Sequence, residues 1–105
     1  MECIDSNKLK ENAEKASSLL KSMSHPSRLM VLCQLVDGEC PVSALNQAVP
    51  LSQSALSQHL ASLRDAGLVK TRRESQAIYY RLNSKAVEVL LQALYRIYCN
   101  PKNEE

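Results

Sequence analysis

Cysteine side chains are the groups of this chain best suited to covalent chemistry. Four of them stand at positions 3, 33, 40 and 99, without the close paired spacing of a zinc knuckle or a disulfide framework. A thiolate is the attacking form of cysteine, so a reactive position needs exposure or a nearby positive charge. Cys99 follows the last helical stretch, where access is expected. Cys33 lies among leucines and valines, and its residue type also fits a small buried apolar position.

The other two cysteines allow simpler interpretations. Cys40 precedes Pro41 and could stand at a helix N-terminus, where the helix dipole stabilises a thiolate, although we favour an exposed turn residue. Cys3 lies in the first few residues and is expected to be incidental. No Ser/His/Asp group, carboxylate pair or glycine-rich phosphate loop stands out, so catalytic residues, a cofactor and enzymatic activity are not expected.

A second set of side chains has the chemistry of base recognition. Leu56, Leu60 and Leu63 recur at helical spacing, which leaves an uncharged hydrogen-bonding face on the other side. Short polar side chains at the front of a helix suit base edges in a DNA major groove, although a solvated surface face is the simpler alternative. Together with the hairpin residues below, the candidate DNA contacts are Ser52, Gln53, Ser54, Ser57, Gln58, His59, Arg72, Arg73 and Gln76.

Five helices are predicted to position these groups. The first covers about Ser6 to Met23, and the second covers Pro26 to Val36 and is apolar nearly all round, as expected for a buried helix. A short third helix opens near Pro41. The fourth runs from Gln53 to Ala66, after a turn of helix-turn-helix length. A final helix is capped by Ser84 and ends before Pro101.

A β-hairpin is predicted after Gly67, where the period changes from helical to alternating. The alternation runs on both sides of Glu74-Ser-Gln-Ala77, which marks the tip. From Arg64 to Arg81 there are five basic and two acidic residues, so the excess positive charge of the chain lies here. Beside the second helix of a helix-turn-helix, this segment is well placed to neutralise phosphates.

The whole chain fits one small soluble domain. It has 105 residues with a net charge of only +2, so DNA affinity must come from a local patch rather than a basic coat. We expect one domain over residues 1–105, with flexible ends at 1–5 and 100–105. Neither a membrane span nor a signal sequence is evident, so a cytoplasmic protein is expected. The terminal helices carry more apolar face than so small a domain can bury, which predicts a homodimer through them.

Several motifs together resemble the ArsR/SmtB family of bacterial winged-helix repressors. They are Ser-His-Pro-x-Arg-Leu at 24–29, Leu-Ser-Gln-Ser-Ala-Leu-Ser-Gln-His-Leu at 51–60, Leu-Arg-Asp-Ala-Gly-Leu-Val at 63–69, and Ile-Tyr-Tyr-Arg-Leu at 78–82. The resemblance covers nearly all of residues 9–99. It implies a mainly α-helical winged helix-turn-helix with a two-stranded wing, forming a homodimer that binds double-stranded operator DNA and releases it on induction.

The same resemblance bears on the inducer. Pro41 and Ser43 stand where the arsenic-sensing members have cysteines, and the final helix lacks the Asp and His of the zinc-type site, so no metal site is expected. Cys33 and Cys99 are instead similar in context and spacing to the cysteines of the dithiol subgroup, which includes sulfide-responsive, biofilm-growth and haemolysin regulators. In that subgroup persulfides or oxidants close a disulfide or polysulfide between the second and last helices.

The sequence therefore favours a repressor that senses reactive sulfur through Cys33 and Cys99. Two alternatives remain open at this point. The first keeps the repressor but makes the signal peroxide or another general oxidant that forms a plain disulfide. The second, from a different class, is a winged-helix module that binds protein rather than DNA.

Overall fold

Caps and core positions explain where each helix of the protein begins and ends. In the computed structural model, residues 5–99 are described. The helices are α1 (Ser6–Met23), α2 (Pro26–Gln34), α3 (Val42–Ala48), α4 (Gln53–Asp65) and α5 (Lys85–Tyr98), and the strands are β1 (Cys40–Pro41), β2 (Val69–Glu74) and β3 (Ala77–Leu82). The prediction of five helices with a hairpin between the last two is confirmed.

Four helices begin with a side chain that accepts a backbone N–H bond. These N-caps are Asp5 on α1, His25 on α2, Ser52 on α4 and Ser84 on α5. Such bonds satisfy amide groups that have no partner within the helix. Asp5 belongs to the N-terminal end that we expected to be flexible, yet it caps α1. The remaining residues of both expected ends, with Cys3 among them, lie outside the described part of the chain.

The predicted two-stranded hairpin is present, and a short third strand, β1, extends it to a three-stranded sheet. The order is β1-β3-β2, and both pairings are antiparallel. Cys40 pairs with Tyr80, and Pro41 pairs with Tyr79. A strand of two residues is too short to show alternation, and its partner is distant in the sequence. Pro41, near which the third helix is predicted to open, is the N-cap of α3.

The core lies between the helices and the inner face of the sheet. Its buried side chains come from every helix and from β2, and the three leucines of α4 are among the most buried: Met23, Val31, Leu32, Leu35, Leu45, Val49, Leu56, Leu60, Leu63, Leu68, Val69, Val87 and Leu91. Burial of Leu56, Leu60 and Leu63 removes apolar surface from water and fixes which face of α4 points outward.

α2 is less buried than its composition suggested. Val31 and Leu32 are fully buried, but Met30, Cys33 and Gln34 are exposed in the single chain. The helix also ends at Gln34, two residues before the predicted end. The reason is that neighbours within the chain cover one face of α2 and leave the other uncovered.

α1 and α5 also expose large apolar side chains. Exposure reaches 57% for Leu9 and 53% for Leu20 on α1, and 74% for Tyr98 on α5. Uncovered apolar surface of this kind commonly marks an interaction site. Across residues 5–99, no helix combines the length and the apolar character needed to cross a membrane.

Candidate nucleic-acid interface and dithiol site

α4 presents a polar face because its leucines are held in the core. The Ser52 hydroxyl accepts a bond from the Ala55 N–H at 3.1 Å, which fixes the start of the helix. The turn from α3 is short, with the Leu51 N–H donating to the Val49 carbonyl at 2.8 Å. The predicted contacts on the first turns of this helix are all exposed: Ser52, Gln53, Ser54, Ser57 and Gln58.

An open groove runs between α3, α4 and the hairpin. Gln53, Ser57 and Gln76, three of the predicted DNA contacts, lie together on its walls. Arg64, counted in the predicted basic segment, lies on the same groove, but the sequence interpretation missed the contribution of α3, which supplies Ser43, Asn46 and Gln47. α3 gave little signal because its polar residues stand between core positions at ordinary helical spacing. The groove thus offers uncharged donors and acceptors together with one arginine and the neighbouring carboxylate of Asp65.

The two predicted wing arginines have different environments. Arg72 forms ion pairs with Glu39 and Glu74, and its guanidinium carbon lies 4.5 Å from the Tyr79 ring centroid. These carboxylates raise the pKa of Arg72 and Arg72 lowers the pKa of Glu39. Arg73 is exposed and points to the opposite face of β2, since side chains alternate along a strand. Of the two predicted wing arginines, Arg72 is therefore the one engaged by carboxylates.

His59 lies against α2 rather than on the open face of α4. Its Nδ1 accepts a bond from Arg28 Nε at 3.2 Å, and its ring centroid is 4.6 Å from that of His25. The side chain is half-buried. We expected either a DNA contact or a packed residue, and the geometry places His59 in packing. Sequence reasoning missed Arg28, although it stands in the Ser-His-Pro-x-Arg-Leu motif.

Cys33 and Cys99 are both exposed free thiols. Cys33 lies in the last turn of α2, and Cys99 is the C-cap of α5, where its N–H donates to the Tyr95 carbonyl at 2.8 Å. The alternative that Cys33 is a buried apolar residue is therefore wrong, because α2 turns this position away from the core. Partial desolvation raises the pKa of the Cys33 thiol, and the charge of Cys99 raises it further. The two thiols thus interact electrostatically, with burial as the larger cause of the raised pKa.

Cys40 is a different kind of thiol. It is half-buried in β1, one residue before the α3 N-cap, so it is neither part of the α3 helix nor an exposed turn residue. Its Sγ donates to the Gln34 carbonyl at 3.4 Å. Within residues 5–99 no three His, Cys, Asp or Glu side chains form a group that could hold a metal ion.

Comparison with known proteins shows which family this architecture belongs to. Residues 25–71, which hold α2, α3 and α4 with the start of the hairpin, match the family described as bacterial regulatory protein, arsR family. The transcriptional activator HlyU of Vibrio cholerae is 48% identical over 91 residues, covering 87% of this chain and 84% of that protein. The chain belongs to the ArsR family. It is therefore a member of a family of DNA-binding transcription regulators rather than of enzymes.

Further relatives in the ArsR family resemble this chain in both sequence and structure. The biofilm growth-associated repressor of Xylella fastidiosa (strain Temecula1) is 42% identical over 91% of this chain and 84% of its own length. The structure of reduced HlyU from Vibrio cholerae superposes with a TM-score of 0.85 at 47% identity, covering 89% of this chain and 98% of that one. The repressor BigR from Xylella fastidiosa gives a TM-score of 0.84 at 42% identity, covering 91% and 98%. The predicted winged helix-turn-helix fold and the family resemblance are confirmed.

Proposed function

We propose that this ArsR-family regulator is a transcriptional repressor that releases its operator when reactive sulfur joins Cys33 to Cys99. The observation that carries the proposal is that both thiols are free and exposed, one in the last turn of α2 and the other at the C-cap of α5. The charge of Cys99 also raises the pKa of Cys33, which supports an interaction between the two groups. Cys40 is held apart by its bond to the Gln34 carbonyl. Both thiols are therefore open to a reactant that arrives from solvent.

The chemistry balances with an organic persulfide as the co-reactant. One thiolate attacks the outer sulfur of the persulfide, which forms a protein persulfide and releases the organic thiol. The second thiol then attacks the cysteine sulfur of that protein persulfide, which closes a disulfide and releases hydrogen sulfide. When both cysteines are first converted to persulfides, their reaction leaves three sulfurs in the bridge and again releases hydrogen sulfide. Extra sulfur atoms lengthen the bridge without adding charge.

The repressor is proposed to act as a homodimer through α1 and α5. Their exposed apolar side chains, including Leu9, Leu20 and Tyr98, give a second copy a surface to cover. A two-fold dimer also presents two recognition helices to a two-fold symmetric operator. Such a DNA regulator, with thiols kept reduced until induction, is proposed to work in the cytoplasm.

The bridge is proposed to weaken DNA binding through the helices that it connects. α2 packs against both α3 and α4, while α5 packs against β3 and contributes to the proposed dimer face. A covalent link from Cys33 to Cys99 would hold α2 against α5 and change the distance between the two recognition helices. Because both helices must meet successive major grooves, a changed spacing lowers operator affinity.

A general oxidant is the alternative signal, since the same exposed thiols can react with peroxide. Peroxide converts one thiol to a sulfenic acid with release of water, and condensation with the second thiol forms a disulfide and a second water. The bridge then contains two sulfurs only. Persulfide and peroxide sensing therefore differ in the products that they can leave on the protein.

Mass measurement tests the switch directly. Reduced protein is treated separately with an organic persulfide, glutathione disulfide and peroxide, and intact protein and digests are then weighed. We expect the persulfide to join the Cys33 and Cys99 peptides by a disulfide or by a bridge with added sulfur. Cys40→Ser is the matched control and should react in the same way. Persistent free thiols at Cys33 and Cys99 in all three samples would exclude the switch.

A further inference from the structure

A cluster of basic side chains links the recognition helix α4 to the junction of α1 and α2. Arg28 donates through Nε to His59 Nδ1 at 3.2 Å and through Nη1 to the Ser22 carbonyl at 3.1 Å. The rings of His25 and His59 lie 4.6 Å apart between centroids, with an interplanar angle of 47°. Arg28 therefore connects the last turn of α1 with the middle of α4.

These contacts require neutral histidines. His59 Nδ1 accepts from Arg28, and His25 Nδ1 accepts from the Ser27 N–H at 3.1 Å, which caps α2. A protonated imidazole carries hydrogens on both nitrogens and can accept neither bond. Protonation of His59 would also place a second positive charge beside that of Arg28. Both the lost hydrogen bond and this charge thus oppose the protonated form of His59.

The groups that act on His59 come from the elements packed around it. α1 supplies the Ser22 carbonyl to Arg28, while α2 and its cap supply Arg28 and His25. Burial lowers the pKa of His59 most, and the charges of His25 and Arg28 lower it further. The stabilisation contributed by neutral His59 is therefore complete above its ordinary pKa near 6.5 and is lost as the pH falls through the lowered value.

We propose that Arg28, acting through neutral His59, is a positioning residue for α4, and that protonation of His59 releases this helix and weakens operator binding. The expected effect on operator binding rests on the repressor function proposed above. In the neutral state, the Arg28 bond adds a directional contact to the non-directional packing of Leu56 and Leu60. Its loss leaves the orientation of the polar face of α4 less well defined.

The expected pH effect is opposite to that of a surface histidine. Protonation of a histidine that contacts DNA adds a positive charge and strengthens binding to phosphate. Protonation of His59 instead breaks its bond to Arg28, which holds the middle of the recognition helix α4. Acidification should therefore weaken binding if His59 positions α4, and strengthen it if His59 contacts phosphate.

The test compares the wild-type chain with the double variant His25→Asn, His59→Asn. Asparagine has an acceptor oxygen that does not titrate, and it is a good N-cap residue. Hydrogen-exchange protection of the α4 amides is measured at about pH 7.5 and about pH 5.5, the range in which histidine titrates. Affinity is measured under the same conditions for a duplex that wild-type protein selects from a random-sequence library at the higher pH.

We expect wild-type protein to lose α4 protection and about tenfold in affinity on acidification, while the double variant changes little. Arg28→Lys keeps the positive charge, but a lysine ammonium cannot reproduce the separate Nε and Nη1 bonds of the guanidinium. This variant should therefore show reduced hydrogen-exchange protection of α4 even at the higher pH. Equal pH dependence of α4 protection in wild type and double variant would overturn the proposal, as would stronger wild-type binding at low pH. If α4 protection follows the expected pattern but no duplex binds at any pH, the repressor function fails and the positioning role stands.

Discussion

The Cys33 thiol is exposed, yet its pKa is raised, so it is accessible but largely protonated near neutral pH. Desolvation is the larger cause and the neighbouring Cys99 is the second. A raised pKa reduces the thiolate fraction and hence the rate of attack by Cys33. These two causes are separable by substitution because only one of them depends on Cys99.

We predict that Cys99→Ser lowers the pKa of Cys33 toward its ordinary value without restoring it fully. The serine hydroxyl is uncharged and removes the electrostatic cause, while the desolvation of Cys33 remains. Alkylation of Cys33 with iodoacetamide, followed by peptide mass spectrometry across a pH series, measures the shift. Cys40→Ser is the control and should leave the profile in place. An unchanged profile in Cys99→Ser would mean that the two thiols are not neighbours.

Residue identities could be predicted from sequence better than residue environments. Cys33 and Cys99 were both proposed as reactive thiols, but the exposure of Cys33 depends on where α2 packs, and its leucine-rich neighbourhood pointed equally to burial. His59 was grouped with the DNA contacts because it follows Gln58. Its bond partner Arg28 is 31 residues away, and local spacing carries no information about that contact.

In the wing, the number of basic residues in the sequence overstates the positive charge that is available for DNA. Five basic residues lie between Arg64 and Arg81, yet Arg72 is occupied by Glu39, Glu74 and the Tyr79 ring. The acidic partner Glu39 precedes β1, the strand that the sequence interpretation missed. The usable positive charge of the wing is therefore smaller than the sequence suggested.

We predict that Arg73→Ala weakens binding on all DNA sequences alike and makes the salt dependence of affinity shallower by about one phosphate contact. Arg72→Ala is the matched comparison and should change the salt slope less, because its charge is already balanced by Glu39 and Glu74. Affinity is measured at several salt concentrations by fluorescence anisotropy. A larger slope change for Arg72→Ala than for Arg73→Ala would contradict this assignment.

Element boundaries followed the sequence closely wherever a cap or a core position fixes them. α1 covers Ser6–Met23 as predicted, and α4 begins at Gln53 because Ser52 caps it. Prediction was poorer where a boundary depends on distant contacts. β1 exists through its pairing with Tyr79 and Tyr80, and local periodicity cannot indicate a two-residue strand formed with a segment so far along the chain.

At the scale of the whole molecule, the exposed apolar faces of α1 and α5 predict the oligomeric state. Leu20→Asp places a charge on the apolar face of α1, where Leu20 is 53% exposed in the single chain. Burying an unpaired charge at an interface is unfavourable, so this variant should shift the dimer toward monomer. Ser18→Asp, on the opposite side of the same helix, should remain dimeric. Sedimentation equilibrium reports the mass, and equal dimerisation of both variants would place the interface elsewhere.

A bridge between Cys33 and Cys99 is proposed to control DNA binding by this regulator. The most direct test of this proposal measures affinity for a duplex selected by the reduced protein, before and after persulfide treatment, with the bridge quantified by mass in the same sample. We predict a loss of about tenfold or more in affinity, reversed by a thiol reductant and absent from Cys33→Ser and Cys99→Ser. Unchanged affinity in a sample in which Cys33 and Cys99 are fully bridged would show that the bridge does not control DNA binding.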